Sequence, residues 1–310
     1  MMKRIIALAL LVSFGVLAMP AVAQRQKRQA ATSEQAPFQL RNANIWKISG
    51  KGLKSPSYLM GTIHLICAEK YDWSSRLEKA YGQTRQVCVE LDITDPAVQM
   101  DIFKGMKAPE GKGLSTYFTP DEYRHLDTLV QAKMGVSLKA LEGLPPGILS
   151  SIFALQSFSC PNTQSYDMNI ISMAKKDGKK VHSLETAAQQ VAVLEKMTEG
   201  EELERIKLYL NDNSRDSIGR LMTQEIEQLM QYYVTEDLAG LEEYFLNPDH
   251  ISEAARPALT DDRNQAWIPQ MEALMKEQPT FFAVGIAHLV GPQGVLRLLH
   301  RLGYTVEPVL

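Results

Sequence analysis

The chain has 310 residues, of which 45% are hydrophobic, and carries 33 basic and 36 acidic side chains for a formal net charge of −3. The hydrophobic content is ordinary for a globular protein. The mild acidity argues against nucleic acid or an anionic membrane surface as a partner, because both attract basic proteins.

Residues 1–24 have the order of a secretory signal peptide, with a basic start, an apolar stretch to about residue 18, and an Ala-Val-Ala triplet before Gln24. The apolar stretch is short for a bilayer-spanning helix, and the triplet suits signal peptidase, although an uncleaved anchor is the alternative. We therefore expect a periplasmic or secreted protein without stable membrane insertion after cleavage. Residues 25–38 lack apolar periodicity, which predicts a disordered leader.

Three cysteines, Cys67, Cys88 and Cys160, would meet an oxidising compartment, where one disulfide and one leftover thiol are expected. Cys88 lies in an apolar, strand-like run, whereas the other two lie in apparent loops. The pattern favours a Cys67–Cys160 bridge, and three free, buried thiols are the alternative.

The first half of the folded region starts with a predicted hairpin, made by an alternating strand at residues 44–49 and a second strand at 58–64. A helix is predicted around residues 73–81. The compact apolar run at 86–92 predicts a buried strand that ends in two carboxylates. A mostly helical insertion at about 100–160 follows.

The second half predicts a short strand at 179–184 and long amphipathic helices at about 199–250. A helix at 261–276 then precedes the most strand-like run, 280–288. The remaining predicted elements are a helix that begins at Pro292 and continues over residues 293–301, and a strand at 304–309. Strands that alternate with helices predict an α/β fold at residues 39–310, a single domain with a mixed, largely parallel sheet flanked by helices.

A Gly-x-x-His pattern occurs twice, from Gly61 to His64 and from Gly285 to His288, each time where an apolar strand stops. One such pattern is common by chance, but two in equivalent places are informative. Sites in open α/β sheets form outside the carboxyl ends of the strands, and the glycines would let backbone approach an ion or a substrate closely.

Imidazole and carboxylate side chains at these strand ends predict a site for a divalent ion such as zinc, manganese or cobalt. Such an ion lowers the pKa of bound water, and a carboxylate can move the proton. Glu90 is the candidate base or ligand, although capping a helix or pairing with arginine would equally explain it. The strand-end candidates are His64, Glu90, Asp92, Glu185 and His288.

Arg263 and Asn264 follow two acids at the start of a predicted helix, so those acids have a simple explanation as helix caps. Arg263 and Asn264 themselves would face the crevice and hold an oxyanion or a catalytic carboxylate. Asp167 also begins a predicted helix and is assigned to capping. The histidines without a second ligand-type neighbour are expected to be structural or solvent-facing, and they are His125, His182, His250 and His300.

Several blocks of the chain, in order across about residues 44–310, resemble those of the TraB/GumN/Tiki family. They are residues 58–65, 89–92, 166–167, 178–186, 263–267, 282–291, 294–295 and 303–304. The resemblance implies a relation to Tiki-type metal-dependent proteases and, more distantly, to erythromycin-esterase-like and ChaN-like folds. It implies that His64, Glu90 and His288 are the catalytic or metal-binding set. Arg263 joins the catalytic candidates, and Gly61, Gly285, Glu185, Asn264 and Asp92 are supporting residues.

The leading hypothesis is thus an exported metal-dependent hydrolase, with a peptidase as its specific form, that acts on a peptide or small molecule. Two alternatives are open. One is a non-catalytic periplasmic protein that binds haem or another small ligand in the same crevice. The other is an envelope interaction protein that engages its partner through the long helices.

Overall fold

A computed structural model describes residues 37–105, 107–108, 111–144, 160–198, 203, 217–248, 250–251 and 253–310. The predicted signal peptide and nearly all of the predicted leader lie outside the described residues. Parts of the two predicted helical regions, chiefly 145–159 and 204–216, lie outside them too. Within the described part of the chain, no helix is both long enough and apolar enough to cross a membrane.

The described residues contain a six-stranded sheet with the strand order β6-β4-β7-β2-β1-β8. The four strands β6, β4, β7 and β2 are parallel, whereas β1 is antiparallel to both of its neighbours. This arrangement confirms the predicted mixed, largely parallel sheet. The strands are β1 (Ile45–Ser49), β2 (Ser57–Thr62), β4 (Gln86–Val89), β6 (Lys180–Ser183), β7 (Thr280–Gly285) and β8 (Thr305–Pro308).

The central strands β2, β4 and β7 are buried along almost their whole length. Continuous apolar runs of this kind are typical of parallel strands that are covered on both faces. Strand β2 ends at Thr62, before the predicted end at residue 64, because its ladder with β7 stops at the pair Thr62–Gly285. Similarly, β4 ends at Val89. Both candidate residues His64 and Glu90 therefore lie in loops that leave the sheet.

Helices that pack on the sheet bury an apolar face, as their sequence periodicity predicts, whereas the helix Pro96–Gly105 has no buried residue. For example, α4 packs on β4, β6 and β7 and buries Ile170 and Ile171. The α-helices in the described ranges are α1 (Ser75–Gly82), α2 (Pro96–Gly105), α3 (Pro120–Met134), α4 (Tyr166–Lys176), α5 (Ala187–Thr198), α6 (Ser217–Val234), α7 (Leu238–Leu246), α8 (Asp262–Glu277) and α9 (Val295–Arg301).

Helix α9 begins at Val295, three residues later than the predicted first residue, Pro292. The residues before it form a turn, in which the Gly294 amide donates to the carbonyl of Gly291 at 3.0 Å. A Cβ atom at Gly294 would lie 2.4 Å from the carbonyl oxygens of Leu289 and Val290. Close packing of backbone on backbone therefore delays the helix to Val295.

Candidate functional site

The three central strands end at one edge of the sheet, and a candidate residue follows each of them. Glu90 comes directly after β4, His64 shortly after β2, and His288 shortly after β7. Because β7 lies between β4 and β2, these loops are neighbours. The structure brings all three residues, with Arg263 from α8, to the lining of one cavity of about 470 Å³.

The Glu90 carboxylate is almost fully buried and bound on both oxygens. Its Oε1 accepts from the Gly285 amide at 2.7 Å, and its Oε2 accepts from Arg263 Nη2 at 2.6 Å. Burial alone would raise the pKa of Glu90, but the nearby imidazole and guanidinium groups and the Gly285 amide outweigh it and lower the pKa. Glu90 therefore stays ionised, which suits a ligand better than a base.

A second buried acid holds the Arg263 side chain in place. Glu185 accepts from Arg263 Nε at 2.7 Å and from Nη2 at 3.0 Å, and it also accepts from Trp267 Nε1 at 2.9 Å. Such a bidentate pair sets the direction as well as the charge of a guanidinium. Glu185 thus acts on the cavity through Arg263, as a supporting residue would.

His288 has a single arrangement of its ring proton. Arg263 Nη1 lies 3.1 Å from His288 Nε2, and because arginine only donates, Nε2 must be an acceptor. The proton is then on Nδ1, which donates to Asn264 Oδ1 at 2.6 Å. Burial lowers the pKa of His288 to about 4, with the charge of Arg263 acting in the same direction. The imidazole is therefore neutral at pH 7, and its Nε2 lies 3.8 Å from Glu90 Oε1.

The His64 ring is held by Asp167, which the sequence assigned to helix capping. That assignment is wrong, because Ser165 caps α4 through a bond from the Met168 amide to its Oγ. Asp167 Oδ2 instead lies 2.9 Å from His64 Nδ1, and its Oδ1 accepts from Thr62 at 2.7 Å. The hydrogen bond to Asp167 raises the pKa of His64, whose side chain is 77% exposed.

A disulfide and a short strand pair support the segment that carries Asp167. The strands β3 (Ile66–Cys67) and β5 (Thr163–Gln164) are antiparallel and lie between His64 and α4 in the chain. The predicted Cys67–Cys160 disulfide is present, with a Cα–Cα distance of 5.6 Å, and Cys88 is free and buried. The covalent link therefore joins the loop after His64 to the segment that leads into α4.

Both glycines of the repeated pattern lie close to other protein atoms, and the space is tighter at Gly61. A Cβ at Gly61 would lie 2.0 Å from Ile286 Cδ1, and one at Gly285 would lie 3.2 Å from Glu90 Oε1. The predicted reason was close approach to an ion or substrate. That reason stays a prediction; in the structure, β2 packs tightly on the turn Ile286–His288, and Gly285 presents its amide to Glu90.

The remaining predictions divide between the cavity and other regions. Asp92 pairs with Lys175 at 2.9 Å and is not among the residues that line the cavity. The acids before Arg263 do not cap α8, because a π-helical turn, Pro257–Asp261, runs directly into it. His250 also lines the cavity, and its ring stacks on Tyr244 at 3.9 Å, which is compatible with the structural role predicted for it. No sequence pattern marked it, because the contact comes from tertiary packing.

The donors fit a divalent ion in their chemistry. His64 and His288 each have one ring nitrogen bound by a carboxylate or an amide, which is how metal-ligating histidines are usually oriented. Glu90 adds an ionised oxygen. However, no three His, Cys, Asp or Glu side chains in the described ranges lie close enough to share one ion. Coordination would require these side chains to draw together, His64 to lose one ring proton, because its pKa is raised to about 9, and Arg263 to give up its contact with His288 Nε2.

The fold and the site together define a class, an α/β protein with histidine, carboxylate and arginine side chains at the carboxyl ends of parallel strands. The chain belongs to the TraB/PrgY/gumN family, whose model matches residues 44–308.

Its similar relatives include the zebrafish (Danio rerio) metalloprotease TIKI2, with 26% identity over 86% of this chain and 61% of that protein. The Danio rerio metalloprotease TIKI1 is 23% identical over 86% of this chain and 63% of its own length. The Homo sapiens metalloprotease TIKI1 is 24% identical over 86% of this chain and 62% of its own length. The chain thus spans about three fifths of the length of these relatives. No solved structure matches the chain.

Proposed function

We propose that this protein is an exported metal-dependent hydrolase, specifically a peptidase, that uses a manganese, cobalt or zinc ion held by His64, His288 and Glu90. The observation that carries the proposal is the neutral His288, whose Nε2 acceptor lies beside an ionised Glu90 in an open cavity. The similarity to proteins named metalloproteases supports the same chemistry. The Cys67–Cys160 disulfide supports a periplasmic or secreted location, because disulfides persist in oxidising compartments.

Each residue has a separate task in this proposal. A bound divalent ion supplies a water of lowered pKa and polarises a substrate carbonyl. Asn264 keeps the proton on His288 Nδ1, so that Nε2 can bind as a ligand. Arg263 Nη1, which lies against Nε2 in the structure, would lose that acceptor if Nε2 held the ion, and it would then donate to the oxygen on which negative charge develops. Glu185 holds the guanidinium in the direction that this requires.

Metal analysis of the purified protein tests the proposal most directly. The wild-type chain should bind one manganese, cobalt or zinc ion, and His64→Ala and His288→Ala should abolish binding while the circular dichroism spectrum stays folded. His125→Ala is the matched control, because His125 lies on α3 and is not among the residues that line the cavity. Peptide hydrolysis should follow metal content and stop with a chelator. Metal binding that survives loss of both histidines, or a wild-type chain that binds none of these ions, would contradict the proposal.

A non-catalytic ligand-binding protein is the second candidate, because much of the cavity wall is apolar. Haem added to the same preparation decides between the two. A Soret band with tight binding, and no hydrolysis in any metal-loaded sample, would favour that candidate over the hydrolase.

A further inference from the structure

One wall of the cavity, as the described residues line it, is apolar. Helix α6 contributes Leu229, helix α7 contributes Leu241 and Phe245, and the segment before α8 contributes Leu259. Ile286, from the turn after β7, extends this wall to the residues that flank His288. These five residues define the apolar wall, which therefore adjoins His288, the proposed metal ligand.

The ionisable side chains of the cavity already have partners inside the protein. Glu90 pairs with Arg263, His64 contacts Asp167, and His250 Nδ1 lies 3.2 Å from the carbonyl oxygen of Tyr244. A charged substrate group against the apolar wall would lose its hydration without gaining a counter-charge there, which is costly. An apolar group loses nothing comparable, and removing it from water is favourable.

The size of the cavity limits how much of a substrate it can hold. A volume of about 470 Å³ is at the scale of pockets that bury a small molecule or a short segment of a chain. The polar groups are at the strand ends and the apolar wall is beside them, so a peptide bond and one neighbouring side chain can be bound together.

We propose that the apolar wall binds the side chain next to the bond that is cleaved, and that the substrates are peptides with an aromatic or branched aliphatic residue there. This inference rests on the proposed hydrolase function, since it specifies the substrate of the same site. Burial of such a side chain corresponds to roughly a 10- to 100-fold gain in kcat/KM over a polar residue at that position.

The test uses the metal-loaded full chain with a peptide mixture, and mass spectrometry identifies the cleaved bonds. Synthetic peptides that differ only at the residue beside the cleaved bond, with Phe, Leu, Ala, Asp or Lys, are then compared. The Phe and Leu peptides should exceed the Asp and Lys peptides about 10-fold or more in kcat/KM.

Two variants on one helix connect this preference to the apolar wall. Leu229→Phe fills the cavity and should lower kcat/KM for the Phe peptide about 10-fold, with a smaller effect on the Ala peptide. Gln224→Phe puts the same side chain on an exposed position of α6 and should change neither value. If Leu229→Phe does not fold, Leu229→Ala replaces it. This variant enlarges the cavity, and the Leu peptide should lose affinity for the apolar wall.

The outcomes separate this inference from the proposed function. Hydrolysis with equal kcat/KM for all five peptides, or equal losses for all of them in Leu229→Phe, would overturn the apolar subsite and leave the hydrolase intact. If no peptide is hydrolysed, the hydrolase proposal fails, and calorimetric binding of the same peptides decides the subsite. The subsite is supported if the Phe peptide binds more tightly than the other peptides and this advantage is lost in Leu229→Phe. Equal binding of all peptides would overturn the subsite.

Discussion

At the scale of single residues, Asn264 and Arg263 together determine which nitrogen of His288 carries the proton. Its Oδ1 accepts from His288 Nδ1, and its Nδ2 donates to the backbone carbonyls of His288 at 3.2 Å and Gln293 at 2.9 Å. The side chain is fully buried, so none of these bonds can be replaced freely by water. Asn264 therefore accepts the ring proton that Arg263 excludes from Nε2, and it fixes the position of the loop that carries the ring.

Replacing Asn264 should destabilise the protein and remove one of the two contacts that keep the ring proton of His288 on Nδ1, the other being that of Arg263. Asn264→Ala leaves a buried ring N–H without an acceptor, and we expect the free energy of unfolding to fall by about 2–4 kcal/mol. Urea denaturation measures this loss, and ¹⁵N chemical shifts of the His288 ring report the tautomer. Gln265→Ala, at an exposed neighbouring position, should change stability by less than about 0.5 kcal/mol. A variant that keeps the proton on Nδ1 would show that the contact with Arg263 alone sets the tautomer, and an unchanged free energy of unfolding would contradict the structural role of Asn264.

At the scale of secondary-structure elements, the contact between β2 and the turn Ile286–His288 sets the separation of the two Gly-x-x-His loops. Gly61 allows this contact, because a Cβ there would lie 2.0 Å from Ile286 Cδ1 and 3.2 Å from Ile286 Cα. The isoleucine tip could rotate away, but the backbone atom could not. The tight packing therefore depends on the absence of a side chain at Gly61.

An alanine at Gly61 should consequently act as an overpacking substitution. We expect Gly61→Ala to lower the free energy of unfolding by about 1–3 kcal/mol and to weaken metal binding, because it pushes the two loops apart. Gly82→Ala is the control, since Gly82 ends α1 and a Cβ there would meet nothing within 4 Å. That control should be neutral or stabilising by up to about 1 kcal/mol. Equal effects of the two substitutions in thermal melts would contradict this account.

The disulfide belongs to the same scale, because it joins β3 to the segment before β5 across 93 residues. Closing a loop of this length restricts the unfolded chain, so Cys67→Ser with Cys160→Ser should cost up to about 4 kcal/mol of unfolding free energy. Treatment of the wild-type protein with a reductant should reproduce the loss in urea denaturation. Burial raises the pKa of the remaining thiol, Cys88, so it should not exchange with the bridge in the native state. An unchanged midpoint after reduction would contradict the prediction.

Sequence patterns anticipated the elements and the convergence of their ends, but not the partners of the site residues. Apolar strands alternating with amphipathic helices are local signals, and the parallel arrangement then places His64, Glu90 and His288 at one edge. The role of Asp167 could not be predicted, because an acid in the first turn of a helix is equally typical of capping. The delayed start of α9 likewise depends on close contact of Gly294 with carbonyl groups that only the folded chain brings near.

At the scale of the whole molecule, the two site histidines should make stability depend on pH in opposite directions. The pKa of His288 is lowered from 6.5 to about 4, so the unfolded chain binds more protons between these values and stability rises with pH there. The pKa of His64 is raised from 6.5 to about 9, so the folded chain binds more protons in that window and stability falls as pH rises. The metal-free protein should therefore be most stable near pH 6.5.

Urea denaturation of the chelator-treated protein from pH 5 to 9 tests this dependence. The acid side should be the steeper one, because His288 is buried, whereas His64 is mostly exposed and water screens its interaction with Asp167. His288→Gln should remove the rise between pH 5 and 6.5, and Asp167→Asn should remove the fall above pH 6.5. Each variant thus serves as the control for the other. If His288→Gln keeps the rise below pH 6.5, or Asp167→Asn keeps the fall above it, another group governs stability in that pH range. The protonation states inferred for His288 or His64 would then be wrong.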